Sequence, residues 1–338
     1  MPDLWCALLT GARTAERSIA STTGLVSLGT GKWDTDLLDA VGANASLFPP
    51  VMDNRAVVGE LGKELAAKIG ARDQWPFVLV ASHDTASAVA AASPRPNTAF
   101  VSSGTWSLVG VELAGPIVTR DALAAGFTNE AGLGGTTLFM RNLTGLWLLE
   151  QAMRQWRHQG QSLTIASLVD DASAVGPLWA AFDVSSPELV SSEDVLHTVR
   201  TQCAATDMAP PETPAEVTRC ILQSLALTYR RTINQCEQLT GRSVTEVHMI
   251  GGGSLNPLLR RLTADASERP LRFGPVEATS LGSLAAQAVA VGHLSEDAAQ
   301  AALQRSSNAA LLTPSNDPTV RRFWQQLDNT VSTPGSNV

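Results

Sequence analysis

The feature that most constrains the fold is a run of three glycines between an apolar strand and a helix. Residues 244–250 predict a strand, the glycines follow at 251–253, and residues 256–267 predict a helix. Residues 271–273 are short and extended again. Alternation of strands and helices along a chain is typical of layered α/β domains. We therefore expect an α/β fold.

Other segments agree with this class. Strands are predicted at residues 77–81, 98–102, 107–112 and 136–140, and helices at residues 59–69, 86–92, 143–159, 214–239 and 279–291. A tight glycine turn at residues 103–105 predicts an antiparallel hairpin between two of these strands. Thr279 or Ser280 is expected to cap the final helix.

The length of 338 residues favours two domains. Two prolines in residues 93–97 predict a linker, so we expect one domain at residues 1–92 and a second at 93–330. Residues 331–338 are polar and are expected to form a mobile tail.

The composition excludes several functions. Hydrophobic residues make up 44% of the chain and charged residues 17%, a balance typical of globular proteins, while a net charge of −8 argues against a nucleic-acid partner. No apolar run is long enough to span a membrane and no signal peptide is evident, so we expect a cytoplasmic protein without a membrane partner. The four cysteines lack the spacing of metal ligands. A disulfide between Cys203 and Cys220 is left as an open possibility.

The first candidate site is the run His83-Asp84-Thr85 at the carboxyl end of a predicted buried strand. Ligands of open α/β sheets bind at such ends. Asp84 could take a proton from a hydroxyl that attacks a phosphoryl group. It could equally cap the helix that follows, and the segment alone favours the cap.

The second candidate is the hairpin turn with Gly104 and Thr105. A glycine turn lets backbone N–H groups approach phosphate oxygens, and the Thr105 hydroxyl could add a donor. An ordinary hairpin turn is the alternative, in which Trp106 would be packed.

The third candidate comprises Gly251, Gly252 and Asn256, between the predicted strand and helix. Missing side chains would let a flat ligand such as adenine lie on the backbone, and the helix amino terminus favours polar ligand groups. The run is neither GxGxxG nor a Walker A motif, so a tight turn would also explain it. Two further candidates are Asn142, a polyol ligand or a helix cap, and Glu150, which could be simply solvated.

Taken together, these motifs resemble the FGGY carbohydrate kinases, in the form found in the rhamnulokinase branch. The matching segments lie in the same order and at similar spacing, at residues 20–23, 81–89, 101–108, 127–130, 142–149, 251–256 and 274–279. The resemblance covers nearly the whole chain, and the combination is more specific than any single motif.

The resemblance implies an actin-like ATPase (ribonuclease H-like) fold with two domains and a cleft between them. Residues 1–92 would be the end of the amino-terminal domain, on the sugar side. Residues 93–330 would be the complete carboxy-terminal domain, on the nucleotide side.

The resemblance also implies the site roles. Asp84 would be the general base, and His83, Asp84, Thr85 and Asn142 would contact the sugar. ATP, with Mg²⁺, would be bound by Thr105, Gly104, Gly252, Gly251, Asn256 and Glu150. The family uses a Gln at the last of these positions, and a carboxylate would weaken nucleotide binding.

The implied reaction is ATP-dependent phosphorylation of a ketose, with L-rhamnulose giving L-rhamnulose 1-phosphate. The family's first phosphate-binding segment has no counterpart at the start of this sequence. We therefore expect this chain to be an incomplete and inactive form. The alternatives are a remnant that binds nucleotide weakly and a kinase for fuculose or xylulose.

Overall fold

The computed structural model describes residues 1–71, 75–92, 96–306 and 310–331. The chain packs into two compact units. Unit 1 contains Met1–Arg95, Val111–Met140 and Glu277–Asn308, and unit 2 contains Pro96–Gly110, Arg141–Val276 and Ala309–Val338. The expected domain bounds at residues 92 and 330 stay a prediction.

The first elements of unit 1 are short. They are α1 (Pro2–Thr10), β1 (Ala15–Glu16), α2 (Arg17–Ser21), α3 (Thr35–Ala40), β2 (Val51–Met52), β3 (Val57–Glu60), α4 (Lys63–Lys68), β4 (Pro76–Val78) and α5 (Asp84–Ala92). β1 pairs with β2 in parallel, and β3 pairs with β4 antiparallel.

The middle of the chain contains four strands and the longest helix among the described residues. Its elements are β5 (Thr98–Ser103), β6 (Trp106–Leu113), α6 (Arg120–Ala124), β7 (Thr128–Ala131), β8 (Thr137–Thr144), α7 (Trp147–His158), α8 (Ile165–Val175), α9 (Pro187–Ser191), α10 (Val195–Ala205) and α11 (Pro214–Thr240). Thr213 and Glu216 form a reciprocal capping box at the start of α11, and Gly241 ends it in the left-handed conformation. These local signals explain why the bounds of α11 were readable from sequence.

The last part alternates between strands and helices. Its elements are β9 (Glu246–Ile250), α12 (Pro257–Ser267), β10 (Leu271–Phe273), α13 (Ala278–Ala290), α14 (Glu296–Ser306), β11 (Ala310–Leu312) and α15 (Pro318–Thr330). The predicted strand–glycine–helix unit is therefore confirmed as β9 and α12.

Seven strands form one sheet in the order β11-β10-β9-β5-β6-β8-β7. β9 pairs in parallel with both β10 and β5, and β7 pairs antiparallel with β8. The two-residue connection between β5 and β6 confirms the predicted hairpin, because so short a loop can join only antiparallel strands. Helices and a central mixed sheet confirm the α/β class.

Three predicted elements differ from the structure. The helix predicted at residues 59–69 is correct only for α4, because Gly59 and Glu60 pair with β4. The buried strand predicted at residues 77–81 ends at Val78, although Leu79 and Ala81 are buried. The helix predicted from residue 143 begins at Trp147, since the preceding residues extend β8.

Two predictions on α13 are also wrong. Glu277 occupies the N-cap position in place of Thr279 or Ser280. The Thr279 hydroxyl instead donates to the carbonyl oxygen of Asp84 at 3.2 Å. α13 is not the final helix, since α14 and α15 follow it.

Some predictions fall on residues outside the structure. Residues 93–95 of the predicted linker and residues 332–338 of the expected tail lie outside the described residues. Within the described part, Cys203 and Cys220 are buried and are not joined by a disulfide, and their sulfur atoms lie 3.7 Å apart, within hydrogen-bond distance. No helix in the part of the chain that the structure describes is long and apolar enough to cross a membrane.

Candidate functional site

The Asp84 carboxylate lies in the first turn of α5 in unit 1. The carbonyl oxygen of His83 accepts hydrogen bonds from the N–H groups of Ala86 and Ser87, so His83 and not Asp84 precedes the helix. Among the described residues, the carboxylate accepts hydrogen bonds only from the adjacent Thr85, whose backbone nitrogen lies 2.7 Å away, and the Asp84 side chain is 80% exposed. Asp84 is therefore not the N-cap, and its carboxylate is open to a ligand.

The backbone before Asp84 is fixed by a buried carboxylate. Glu16, at the start of α2, is fully buried. It accepts hydrogen bonds from the N–H groups of Ser18 (2.8 Å), Ile19 (3.2 Å) and Ser82 (3.0 Å), and from the Ser18 hydroxyl. The Ser18 hydroxyl in turn accepts from the N–H of His83 at 3.0 Å. A buried charge with this many donors holds the segment in one position.

The helix that begins at Asp84 is packed closely against α13. A methyl group on Gly282 would overlap the carbonyl oxygen of Ser87, so only glycine allows the two backbones to come this close. The start of α5 is therefore fixed from two sides, by the Glu16 hydrogen bonds and by this helix contact.

A second carboxylate, Glu130 on β7, lies beside His83. The His83 Nε2 and Glu130 Oε2 atoms are 3.5 Å apart, and both side chains are 18% exposed. On the opposite side of the ring, Nδ1 is 3.9 Å from the Asp84 carboxylate. Burial raises the pKa of Glu130, and the positive charge that His83 can carry opposes this rise.

In unit 2, the turn formed by Gly104 and Thr105 is held by the start of α7. The carbonyl oxygen of Gly104 accepts from the N–H of Leu146 at 2.9 Å, and that of Thr105 from the N–H of Trp147 at 3.1 Å. A methyl group on Gly145 would lie 2.6 Å from the Gly104 oxygen, so glycine is required there. Among the described residues, the exposed Thr105 hydroxyl has no hydrogen-bond partner.

The glycine run after β9 packs against the same turn. Gly251 has a φ of 81°, and a methyl group there would lie 2.8 Å from the carbonyl oxygen of Ser103. A methyl group on Gly253 would overlap the Ser103 side chain. Gly252 is exposed, and a methyl group there would contact no atom within 4 Å. Two of the glycines are thus required by packing, and the middle one leaves open space.

The buried hydroxyl of Tyr229 lies beneath these turns. It is 2.7 Å from the Ser107 hydroxyl and 3.4 Å from the Ser103 hydroxyl. Burial raises the pKa of Tyr229, so the phenol stays neutral and can donate. Ser103 therefore connects the Gly104 turn, the glycine run and Tyr229.

The remaining predicted residues of unit 2 have simpler surroundings. Asn256 is the N-cap of α12, and its side chain accepts from the N–H of Leu259 at 3.0 Å. Asn142 is exposed on β8 and does not cap a helix, and Glu150 is exposed in the first turn of α7. Trp106, expected to be packed, is 51% exposed.

The structure thus brings the predicted residues together in two groups. His83, Asp84 and Thr85 lie at the start of α5 in unit 1, where Thr85 is buried. In unit 2, Gly251 packs against Ser103, the residue before Gly104 and Thr105, and the exposed Gly252 follows it.

Sequence reasoning missed Glu16, Ser18, Glu130 and Tyr229. For Tyr229 a signal existed, because it is the only tyrosine of the chain and stands in the apolar stripe of α11. The described residues contain no group of three or more His, Cys, Asp or Glu side chains that could hold a metal ion.

Comparison with known families gives two matches, which do not overlap along the chain. Residues 99–291 match the model of the FGGY family of carbohydrate kinases, C-terminal domain, and residues 2–91 match the N-terminal domain of the same family. The chain belongs to the FGGY family of carbohydrate kinases. The resemblance inferred from the sequence motifs is therefore confirmed.

Curated relatives of this FGGY chain include several rhamnulokinases. That of Oceanobacillus iheyensis is 35% identical over 296 residues, which is 88% of this chain and 62% of the relative. That of Bacteroides thetaiotaomicron is 36% identical over 297 residues, 88% of this chain and 60% of the relative. The chain thus spans about three fifths of the length of these relatives.

Solved structures show the same fold. Xylulose kinase from Rhodospirillum rubrum matches with a TM-score of 0.74 at 20% identity, covering 97% of this chain and 65% of that one. Plasmodium falciparum glycerol kinase with ADP also matches with a TM-score of 0.74, at 15% identity, covering 98% and 66%. These likenesses confirm the actin-like α/β fold expected from the motifs.

Proposed function

We propose that the full-length protein is an ATP-dependent ketose kinase that converts L-rhamnulose to L-rhamnulose 1-phosphate in the cytoplasm. The family membership supports a sugar kinase. The substrate is supported by four curated relatives, all rhamnulokinases, at 34–36% identity. Because the chain spans 62% of the first of them, the activity is assigned to the whole protein.

We assign the sugar side to residues 1–92 and the nucleotide side to residues 93–330. The observation that carries the proposed role of Asp84 as the base is its exposed carboxylate on a backbone that Glu16 and Ser18 fix in place. A free carboxylate on a rigid segment is suited to act as a general base, since it must meet one hydroxyl in one orientation. His83, Thr85 and Asn142 are the further proposed sugar contacts, Thr85 mainly through its backbone because its side chain is buried.

The surroundings of Gly252 fit a nucleotide. The space above it is open, and the amino terminus of α12 follows, so adenosine could lie against Gly251 and Gly252 with Asn256 nearby. Gly104 and the free hydroxyl of Thr105 would bind phosphate oxygens. Glu150 is exposed and is proposed as a nucleotide contact whose negative charge needs a compensating cation. Mg²⁺, when bound with the nucleotide, would supply positive charge that offsets the charge of Glu150 and of the phosphates.

In the proposed reaction, Asp84 accepts the proton of the sugar's terminal hydroxyl, and the oxygen attacks the terminal phosphorus of ATP in line. The O–P bond to ADP breaks as the new bond forms, and ADP leaves. Thr105 and the backbone N–H groups of its turn stabilise the negative charge on the transferred phosphoryl oxygens.

The test is an ADP-release assay on the product of the whole reading frame, including any in-frame codons upstream of Met1. We expect turnover with L-rhamnulose to exceed that with fuculose or xylulose. Turnover with another ketose instead would overturn the substrate, and no turnover with any ketose would overturn the kinase proposal.

The length of the relatives favours one alternative, a remnant that binds nucleotide without phosphorylating sugar. An immediate upstream stop codon together with weak ADP binding and no sugar-dependent turnover would support it. Of the 338 residues alone we expect no sugar-dependent turnover, and measurable turnover would contradict this expectation.

A further inference from the structure

We infer that Glu130 is a positioning residue that acts on the proposed base Asp84 through His83, an inference that rests on the proposed kinase activity. The three side chains form a row: carboxylate, imidazole, carboxylate. Glu130 Oε2 lies 3.5 Å from His83 Nε2, and His83 Nδ1 lies 3.9 Å from an Asp84 oxygen. The imidazole thus has one carboxylate on each side, each facing a different ring nitrogen.

Two atoms of this row lack hydrogen bonds. His83 Nδ1 and Glu130 Oε2 are buried, and neither has a hydrogen-bond partner among the described residues. Leaving buried polar atoms unpaired is costly, so native proteins rarely do so without a reason. Each of these atoms has a complementary group of the row just beyond hydrogen-bond distance.

The backbone on both sides of the row is held by hydrogen bonds. On the β7 side, the Asn129 side chain donates to and accepts from the backbone of Ile117, at 2.9 and 2.8 Å. The N–H of Ala131 donates to the Ser21 hydroxyl at 2.9 Å. On the other side, the N–H of His83 donates to Ser18. A closure of less than about 1 Å would pair the row, since catalytic hydrogen bonds are often long before substrate binds and then shorten.

The charges of the row explain why Glu130 can act on Asp84 through His83. Glu130 is poorly solvated and needs a donor, and the nearest ring nitrogen of His83 is Nε2, 3.5 Å away. An N–H at Nδ1 would face the Asp84 carboxylate, 3.9 Å away, and orient it toward a substrate hydroxyl. Without Glu130 the ring loses the group that holds it, and Asp84 loses its orientation. A carboxylate that orients a histidine, which in turn orients a reactive group, is a common arrangement in enzymes.

The test compares Glu130→Gln with Glu112→Gln in the full-length kinase. Glu112 is a matched control in unit 1, because burial raises the pKa of its carboxyl as it does for Glu130. The Thr136 hydroxyl donates to Glu112, as the Thr128 hydroxyl does to Glu130. We expect Glu130→Gln to lower kcat by about 10- to 100-fold with KM for the ketose within about threefold, because positioning of a general acid–base group affects the chemical step. Glu112→Gln should leave both within about twofold.

A double-mutant cycle with His83→Asn shows whether Glu130 acts through the ring. We expect Glu130→Gln to cause no further loss of kcat when His83 is already replaced, since the two changes break the same row. Glu130→Asp should recover part of the lost kcat.

Failure of this inference can be distinguished from failure of the proposed function. An active wild type with unchanged kcat in Glu130→Gln, or with additive losses in the cycle, would overturn this inference alone. A wild type without ketose-dependent turnover would overturn the proposed function and this inference with it. Unchanged ADP affinity in Glu130→Gln checks that the variant is folded.

Discussion

The two groups of candidate residues are held in place by different means. In unit 1, the segment before Asp84 is held by buried polar side chains, since Glu16 and Ser18 accept hydrogen bonds from the N–H groups of Ser82 and His83. In unit 2, the turns are held by backbone packing, with Gly251 and Gly253 against Ser103. The segment before Asp84 depends mainly on one carboxylate with many donors, although Gly282 adds a steric contact further along α5, whereas the turns of unit 2 depend mainly on missing side chains. The comparison teaches that a rigid site can be built from either polar or steric constraints, and that each is sensitive to a different kind of mutation.

The largest expected effect is on the polar side. Glu16→Ala removes the acceptor of three buried or partly buried backbone N–H groups and leaves them without this partner. We expect the free energy of unfolding to fall by about 3–5 kcal/mol, measured by urea denaturation. A loss below about 1 kcal/mol would show that the carboxylate does not hold this segment.

The next effect is on the steric side, where the chain supplies its own control. Gly253→Ala places a methyl group on the Ser103 side chain, and we expect a loss of about 1–3 kcal/mol in the same measurement. Gly252→Ala, one residue away, meets open space and should change stability by less than about 0.5 kcal/mol. Equal effects of the two substitutions would contradict the claim that packing against Ser103 requires glycine at position 253.

A smaller effect tests the polar contact within unit 2. Tyr229→Phe removes the hydroxyl 2.7 Å from Ser107 and leaves the ring in place. We expect a loss of about 0.5–1.5 kcal/mol, because one buried hydrogen bond disappears without a cavity. A loss above about 3 kcal/mol would mean that unit 2 also depends mainly on a polar anchor, and the contrast between the units would fail.

The smallest effect on stability is paired with an effect on binding. Gly252→Ala should keep the fold yet weaken ADP binding, because the added methyl group occupies the space in which we place the nucleotide. Isothermal titration calorimetry on the full-length protein measures this. ADP affinity equal to that of the wild type would remove Gly252 from the proposed site.

How far the sequence predicts the molecule depends on whether the signal is local. β9, the glycine run and α12 were predictable because an apolar run, glycines and a helix cap stand next to each other. The helix predicted at residues 59–69 was wrong at its start, because β3 forms only by pairing with β4, which lies further along the chain. The role of Glu16 could not be predicted, since its partner Ser82 is 66 residues away. A glutamate alone in sequence gives no sign that it will be buried.

The most direct test of the account is the effect of Asp84→Asn on L-rhamnulose-dependent ADP release by the full-length protein, with ADP affinity measured in parallel. We expect turnover to fall by about 100- to 10,000-fold, because the amide cannot accept the proton of the sugar hydroxyl, while ADP affinity stays unchanged. Turnover within about threefold of the wild type would contradict the assignment of Asp84 as the base.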